Sequence, residues 1–130
     1  MAIHVLIIED EQILRELIAG ELVKKGYTVS TASDGVIGWN AIKEKKPDIV
    51  LLDLLMPLMS GYDVLTQMRA NPEFKELPCI VISNSGQYDD LSRAYDCGAN
   101  DVLIKTDFNP DQVIEKIELL MSKKSEKSES

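Results

Sequence analysis

The sequence predicts one α/β domain built on a doubly wound parallel sheet. Short apolar runs alternate with segments of helical periodicity five times along the 130 residues. This alternation is typical of parallel strands with helices on both faces of a sheet. Turn or helix-capping residues follow the apolar runs. Because a chain of this length buries a sizeable core without disulfides, we predict a single domain.

The first two strands and helices are predicted from apolar periodicity and from the residues that bound each element. Ile3–Ile8 (IHVLII) is a strand, and Gly26 ends the helix after it. Tyr27–Ala32 is the second strand, and Ser33 or Asp34 can cap the next helix. The apolar residues that recur at helical spacing in the first helix are Ile13, Leu14, Leu17, Ile18 and Leu22, and those carried by the second helix are Val36, Ile37, Ala41 and Ile42.

The next three strands alternate with helices in the same way. Asp48–Leu52 (DIVLL) is the third strand, and a helix opens at Ser60 after it. Cys79–Ile82 is the fourth strand and Val102–Ile104 the fifth, and the helix between them covers Gln87–Cys97. The pattern therefore predicts five strands in which each strand is followed by a helix.

The fifth helix begins at Pro110, a residue that suits the first turn of a helix. Its inward face is predicted to be Val113, Ile114, Ile117, Leu120 and Met121. The stretch that follows, SKKSEKSES, is charged and has no apolar face. We therefore predict a domain over residues 1–122 and a disordered tail over residues 123–130.

The composition excludes several functional classes. The formal net charge of −8 argues against nucleic acid or an anionic membrane as a direct partner. No apolar run approaches the ~20 residues of a membrane span, and the first run leads straight into acids, unlike a signal peptide. Cys79 and Cys97 have neither metal-ligand nor redox spacing. The expected compartment is the cytoplasm.

Polar side chains follow four of the five predicted strands. Of the two common doubly wound orders, 2-1-3-4-5 places strands 1 and 3 side by side, and ligands bind beyond their carboxyl ends. Acids gathered there would repel each other unless a cation such as Mg²⁺ held them. Taken singly, each residue has a structural explanation, such as an acid at a helix N-terminus. The strand-end groups are Glu9, Asp10 and Glu11 after the first strand, Asp53 after the third, Ser83 after the fourth and Lys105 after the fifth.

The sequence around these positions resembles the receiver domain of bacterial two-component response regulators, the chemotaxis-regulator-like (CheY-like) fold. The resemblance extends from Ile3 to Met121, nearly the whole chain. It implies a flavodoxin-like, doubly wound sheet of five parallel strands in the order 2-1-3-4-5, with five helices. The motifs that carry it are LIIEDE at Leu6–Glu11, LLDLLMPLMSGYDVL at Leu51–Leu65, IVISNS at Ile80–Ser85 and GANDVLIK at Gly98–Lys105.

The resemblance also implies roles for the acids. Asp53 would be the phosphoacceptor, and Mg²⁺ would be the cofactor. Asp10 and Asp53 would ligate the Mg²⁺, Glu9 would act directly or through water, and the backbone carbonyl of Leu55 would complete the protein ligands. The chemistry agrees, because a carboxylate can attack phosphorus and form an acyl phosphate.

The same resemblance implies that Ser83 and Lys105 would bind the phosphoryl oxygens. The chain departs from the family pattern at positions near these two residues. Thr106 stands where receivers commonly have a proline after a cis peptide. Before a non-proline residue that bond costs roughly 2.5–4 kcal/mol, so either the site stores the strain or the loop takes another path. Val102 replaces a frequent aromatic switch residue. The output signal is therefore expected to pass through the loop after strand 4 or through helix 4.

The variable positions beside the site are Leu55 and Ser85. Neither side chain offers an acid or an amide that could orient an attacking water. We therefore expect an acyl phosphate on Asp53 to be lost over hours rather than seconds.

The leading hypothesis is a phosphorylation-controlled signalling switch that catalyses its own modification and is not a turnover enzyme. One alternative is a receiver used only for docking, without phosphate. Another is an aspartate-nucleophile phosphatase, which requires a second acid at the position occupied here by Leu55. A flavodoxin-like cofactor carrier is disfavoured because Glu9, Asp10 and Glu11 would repel its phosphate.

The expected partners are a sensor histidine kinase or a phosphotransfer protein, and a downstream protein that the sequence does not identify. Direct nucleic-acid binding and membrane binding are not expected because of the negative net charge, and no DNA-binding segment follows the last predicted helix. The expectation is a stand-alone regulator, a phosphorelay carrier or a piece of a larger protein. A homodimer through the helix 4–strand 5–helix 5 face is the one self-association considered.

Overall fold

Five parallel strands form one sheet in the order β2-β1-β3-β4-β5, as the sequence predicts. The computed structural model describes residues 2–84, 86–107 and 109–129, without the side chains of residues 107 and 124–129. The strands are β1 (His4–Ile8), β2 (Thr28–Ala32), β3 (Ile49–Asp53), β4 (Cys79–Ser83) and β5 (Asp101–Ile104). The helices are α1 (Gln12–Lys24), α2 (Gly35–Lys45), α3 (Gly61–Ala70), α4 (Tyr88–Asp96) and α5 (Pro110–Glu129), and a short 3-10 turn covers Lys105–Asp107.

The parallel register brings the carboxyl ends of the central strands to one edge of the sheet. Ile8 of β1 pairs with Leu52 of β3, and Asp53 pairs with Ile82 of β4. Ser83 pairs in turn with Ile104, the last residue of β5. The polar residues that follow or end these strands therefore share one edge, as predicted.

The sheet separates two hydrophobic clusters, because successive residues of a strand point to opposite faces. Val5 and Ile7 pack with residues of α1 and α5 on one face. Leu6 and Ile8 pack with residues of α2, α3 and α4 on the other. Both faces of the central strands are covered, which explains why β1, β3 and β4 are continuous apolar runs.

Side-chain caps fix where two of the helices begin. Asp34 accepts a hydrogen bond from the Ile37 amide at 2.8 Å and caps α2. Ser60 and Asp63 form a reciprocal capping box at the start of α3, directly after the loop that follows β3. Such caps satisfy amides that lack a partner in the first turn, so α3 begins at a defined residue near the end of β3.

Two of the apolar residues that recur at helical spacing in α1 are not part of its buried face. Ile13 is 85% exposed and Leu17 is 47% exposed, whereas Ile18 and Leu22 are fully buried. At 100° per residue, Leu17 and Ile13 point about 100° and 140° away from Ile18 around the helix. Apolar periodicity alone did not separate the covered stripe from the exposed one.

The apolar residues of α2 divide in the same way, because Val36 and Ile37 are 44% and 48% exposed. The buried stripe includes Gly35 and Gly38 instead. A Cβ at Gly38 would collide with the side chain of Ile8. Helix α2 therefore packs through its smallest residues, which a search for large apolar side chains overlooks.

Helix α5 continues to Glu129 and so includes most of the stretch for which a disordered tail was predicted. Its inward face is confirmed at Val113, Ile114 and Ile117, which are buried. The division of the chain at residue 122 stays a prediction, and Ser130 lies outside the described residues.

Candidate functional site

Three carboxylates from two neighbouring strands meet at the carboxyl edge of the sheet. Glu9 and Asp10 directly follow β1, and Asp53 is the last residue of β3. One carboxylate oxygen of each lies within 4.8 Å of the other two. Glu9 and Asp53 are 0% and 1% exposed, whereas Asp10 faces solvent. The acids do not cap α1, because its N-cap is Glu11 and that side chain makes no capping hydrogen bond.

Lys105 inserts its ammonium group between the two buried acids. Its Nζ lies 2.9 Å from Glu9 Oε1, 3.1 Å from Glu9 Oε2 and 3.3 Å from Asp53 Oδ2. Glu11 Oε1 is farther, at 3.8 Å. The described residues contain no cis peptide bond, and Lys105 instead opens a 3-10 turn. Thr106 therefore does not prevent the lysine from entering the site, and the loop takes the alternative path.

The four charged groups shift one another's pKa values. Burial, hydrogen bonds with Asp10 and Glu9, and the charge of Glu9 raise the pKa of Asp53 to about 8, against the opposing effect of Lys105. Burial also acts on Asp10, but its hydrogen bonds with Asp53 and Glu9 hold its pKa below the ordinary value. Burial works against the charge of Lys105, yet Glu9 and Asp53 raise its pKa. Asp53 is therefore the group that takes up a proton.

Two buried carboxylate oxygens, Glu9 Oε1 and Asp53 Oδ2, have no hydrogen-bond donor among the described residues. Both lie within ion-pair distance of Lys105, but that one ammonium group does not satisfy them. Two oxygens on one Mg²⁺ lie at most ~4.2 Å apart, twice the bond length of ~2.1 Å. The oxygens of the three acids, within 4.8 Å of one another, need only a small shift to share a divalent cation, so the site fits one.

Ser83 and Leu55 occupy two different positions around the acids. Ser83 ends β4 with 3% exposure, one residue beyond Ile82, the partner of Asp53 in the sheet. Leu55 lies two residues after Asp53, its side chain is 65% exposed, and its amide faces Asp53 Oδ1 at 3.4 Å. Ser83 is thus on the strand beside the acids, and Leu55 is in the loop over them.

Gly61 lets α3 begin close against the end of β3. Its amide donates to the Leu54 carbonyl at 2.8 Å, and a Cβ there would collide with the backbone carbonyl of Asp53. This glycine is therefore required by a close approach of backbone to backbone beside the buried acid.

Arg15 is a residue of the site that no pattern in the sequence singles out. One of its terminal guanidinium nitrogens donates to the backbone carbonyl of Glu9 at 2.8 Å. It lies on α1, one turn after the acids, where an arginine reads as an ordinary surface residue. Only the structure reveals that its partner is the main chain of the acidic segment.

Val102 occupies the position where an aromatic switch residue is frequent. Among the described residues, no aromatic side chain takes over that place. Val102 is half-buried and packs against the cluster under α4. Tyr88 and Tyr95 of α4 are 82% and 48% exposed, and Ala94 is the buried residue of that helix. Helix α4 is consequently held by less apolar burial than its neighbours.

The fold and the site together define a class of protein. A doubly wound sheet carries at its switch point an acidic pair, a buried aspartate on the neighbouring strand and a lysine bound to both. The sequence model of the response regulator receiver domain matches residues 5–118. The chain belongs to the receiver domains of two-component response regulators, which are signalling domains regulated by phosphorylation and not a classical enzyme family.

Curated relatives are response regulators with an additional region. The DNA-binding dual master transcriptional regulator RpaA of Synechocystis is 29% identical over 118 residues, which cover 91% of this chain and 48% of that protein. The phosphate regulon transcriptional regulatory protein PhoB of Escherichia coli is 28% identical over 121 residues, 93% of this chain and 52% of that protein. This chain thus spans about half the length of the curated relatives it matches.

Solved structures agree with the fold. A putative response regulator from Chloroflexus aurantiacus superposes with a TM-score of 0.89 at 26% identity, over 94% of this chain and 99% of that chain. The chemotaxis protein CheY4 of Vibrio cholerae has a TM-score of 0.86 at 23% identity, over 92% of this chain and 99% of that chain. Among the described residues, none of the helices combines the length and the apolarity that crossing a membrane requires.

Proposed function

We propose that this chain is a phosphorylation-controlled switch whose Asp53 accepts a phosphoryl group, from a phosphohistidine on a sensor kinase or phosphotransfer protein, or from a small donor such as acetyl phosphate. The observation that carries the proposal is the environment of Asp53. A carboxylate that is 1% exposed ends its strand between two other acids and one lysine.

The transfer forms one bond and breaks one. A carboxylate oxygen of Asp53 attacks phosphorus, and the bond from phosphorus to the donor's imidazole nitrogen or acyl oxygen breaks, with its electron pair leaving on the donor. Lys105, whose Nζ is 3.3 Å from Asp53 Oδ2, is placed to neutralise charge on the transferred oxygens. Such neutralisation supplies most of the catalysis in phosphoryl transfer.

Mg²⁺ is the cofactor that we propose for the acidic group. Asp10, Asp53 and Glu9, directly or through water, would hold it with the backbone carbonyl of Leu55, and it would supply positive charge for the phosphoryl oxygens. The charges of the site call for it, because Lys105 is paired with three carboxylates, those of Glu9, Glu11 and Asp53, Asp10 adds a fourth acid, and phosphorylation adds a further charge of about −1.5 to −2. A cation would also keep Asp53 ionised at pH values where its raised pKa otherwise leaves it protonated.

Ser83 and helix α4 are the proposed output of the switch. The Ser83 hydroxyl would bind a phosphoryl oxygen, together with Lys105, and pull the loop that leads into α4. Because α4 buries little apolar surface, little free energy is needed to shift it. Val102 offers no aromatic ring to report that movement, so the signal passes through the loop and α4.

We expect the acyl phosphate to be long-lived, with a lifetime of hours. Leu55 is exposed over the site and its aliphatic side chain cannot orient an attacking water. Ser85, the second variable position, lies outside the described residues.

An aspartate-nucleophile phosphatase is not supported, because the exposed Leu55 stands where that class has its second acid. A receiver that docks without phosphate is the remaining alternative. The intact set of acids with Lys105 on them favours the phosphorylated switch over it.

Partners other than the phosphodonor depend on the whole protein, of which this domain can be one part. RpaA is named a DNA-binding regulator, so an output region that binds DNA is compatible with this domain. The face formed by α4, β5 and α5, which we propose as the surface for a homodimer, includes a groove of about 530 Å³ between β5 and α5, lined among others by Val102, Lys116 and Leu119. The free thiols of Cys79 and Cys97 are compatible with the cytoplasm, the compartment that we propose.

The experiment that tests the proposal is intact-mass measurement after incubation with acetyl phosphate, with Mg²⁺ or with EDTA. We expect a gain of one phosphoryl group that requires Mg²⁺ and is absent in Asp53→Asn. The matched control is Asp89→Asn, which alters an exposed aspartate of α4 and should leave the gain unchanged. A folded wild-type protein that gains no mass in Mg²⁺ would support the docking-only receiver instead.

A further inference from the structure

The acidic segment after β1 is held in place by its backbone as well as by its side chains. The Glu9 amide donates to the Ala32 carbonyl of β2 at 3.0 Å, and the Arg15 amide donates to the Glu11 carbonyl at 2.9 Å. The Glu11 amide donates to Glu9 Oε2 at 3.1 Å. These bonds fix the two ends of the segment and leave the peptide between Glu9 and Asp10 to be fixed separately.

Arg15 fixes that peptide. Its guanidinium group donates to the Glu9 carbonyl at 2.8 Å. The Glu9 carbonyl and the Asp10 amide belong to one rigid peptide plane, so a bond to the carbonyl oxygen sets the direction in which the Asp10 Cα leaves the strand. Asp10 faces solvent, so its side chain is oriented by its backbone and by its contacts with Glu9 and Asp53 rather than by packing.

Arg15 also leaves the carboxylates available. Among the described residues, it takes part in no ion pair within 4.0 Å, although Glu9, Asp10 and Glu11 are close to it in the chain. Its cationic donor is directed at a carbonyl oxygen, so it orients the acids without occupying their oxygens. A salt bridge from Arg15 to Asp10 would instead compete with a bound cation.

We infer that Arg15 is a positioning residue of the metal site, which orients the Glu9–Asp10 peptide so that the Asp10 carboxylate is presented to Mg²⁺. The inference rests on the proposed function, because it assumes that Mg²⁺ binds to these acids. Groups that orient metal ligands in this way typically change metal affinity by about 10- to 100-fold when they are removed.

Arg15→Met gives opposite predictions for positioning and for charge. The substitution keeps an unbranched stem and removes both the donor and the positive charge. If the charge of Arg15 were its only influence, its loss would strengthen Mg²⁺ binding, because one cation near the site disappears. Loss of positioning weakens binding instead. The direction of the change therefore separates the two effects.

The experiment is calorimetric titration of Mg²⁺ into the unphosphorylated protein, accompanied by urea unfolding of each variant in EDTA. We expect Arg15→Met to bind Mg²⁺ at least about tenfold more weakly than the wild type, and Arg15→Lys, which keeps a cationic donor, to recover most of the affinity. If Arg15→Met does not fold, Arg15→Gln takes its place, since its amide is two bonds shorter and is expected to lose the contact as well.

Arg69→Met is the matched control. Arg69, near the end of α3, also donates to backbone carbonyls, at 2.8 Å to Gly98 and 3.1 Å to Phe74, but at the opposite edge of the sheet. Its loss should lower stability and leave Mg²⁺ affinity within about twofold of the wild type, so general loosening is distinguished from positioning.

The outcomes separate this inference from the function it rests on. A wild-type protein that does not bind Mg²⁺ would overturn the proposed function. A wild-type protein that binds Mg²⁺, with Arg15→Met binding as tightly or more tightly, would overturn the positioning role alone. Equal weakening in Arg15→Met and Arg69→Met would also overturn it.

Discussion

Asp53 should destabilise the metal-free protein, and Asp53→Asn should remove that cost. The pKa of Asp53 is raised from 3.8 to about 8, first by burial and then by Asp10 and Glu9. Between these two values the folded protein holds a proton that the unfolded chain releases. The free energy of unfolding therefore falls as the pH rises through this window.

The magnitude follows from the width of the window. Each unit of pKa difference corresponds to about 1.4 kcal/mol. The cost of Asp53 is therefore about 2 kcal/mol near pH 5, about 4 kcal/mol near pH 7 and about 5 kcal/mol near pH 8, where it levels off. Asparagine has a similar shape and does not titrate. Asp53→Asn should consequently be the more stable protein, with an advantage that grows with pH.

Urea unfolding in EDTA at these three pH values measures the difference. At a chain length of this order, 4 kcal/mol corresponds to a rise in Tm of about 15 °C, so thermal unfolding is a second measure. Asp89→Asn, at an exposed aspartate, should change stability by no more than about 0.5 kcal/mol at any pH. An advantage of Asp53→Asn below about 1 kcal/mol at pH 7, or one that does not grow with pH, would refute the reasoning.

Three further predictions concern the same edge of the sheet. The affinity for Mg²⁺ should rise about tenfold for each pH unit between about pH 6 and 7, because Mg²⁺ displaces the proton on Asp53. Calorimetry that finds a constant affinity over this range would contradict the prediction. Lys105→Met should cost about 3–5 kcal/mol in EDTA, because it leaves the buried carboxylate of Glu9 without its partner. Loss of the more exposed Lys116, 2.6 Å from Asp101, should cost less than about 1 kcal/mol, and equal costs in urea unfolding would be the opposing result. Gly61→Ala should lower the free energy of unfolding by about 3 kcal/mol or more, because the new Cβ meets fixed backbone. Gly20→Ala, with open space around it, should instead stabilise α1 by about 1 kcal/mol. A tolerated Gly61→Ala would show that the close approach of α3 to β3 can relax.

The order of the strands and the composition of the site could be predicted because both depend on patterns along the chain. Alternating strands and helices, right-handed connections and polar residues at strand ends are sufficient to bring Glu9 and Asp53 to one edge. The path of Lys105 could not be predicted, because a sequence without proline at position 106 allows more than one loop. Lys105 opens a 3-10 turn, and its ammonium group lies against Glu9 and Asp53.

The packing faces of the helices were predicted less well, for a physical reason. Ile13 and Ile37 are large and apolar, but the covered stripe of each helix is set by how closely the helix approaches the sheet. In α2 that approach requires Gly38 against Ile8, and small residues carry no periodic hydrophobic signal. Arg15 was missed for a related reason, because a side chain that bonds to a backbone carbonyl leaves no complementary residue in the sequence.

The most direct test of the account is to locate the phosphoryl group after reaction with acetyl phosphate and Mg²⁺. Borohydride reduces an aspartyl phosphate to homoserine, and peptide mass mapping then identifies the modified residue. We expect homoserine at position 53 and at no other acid of the site. Homoserine at Asp10, or a phosphorylated protein in which Asp53 is unmodified, would contradict it.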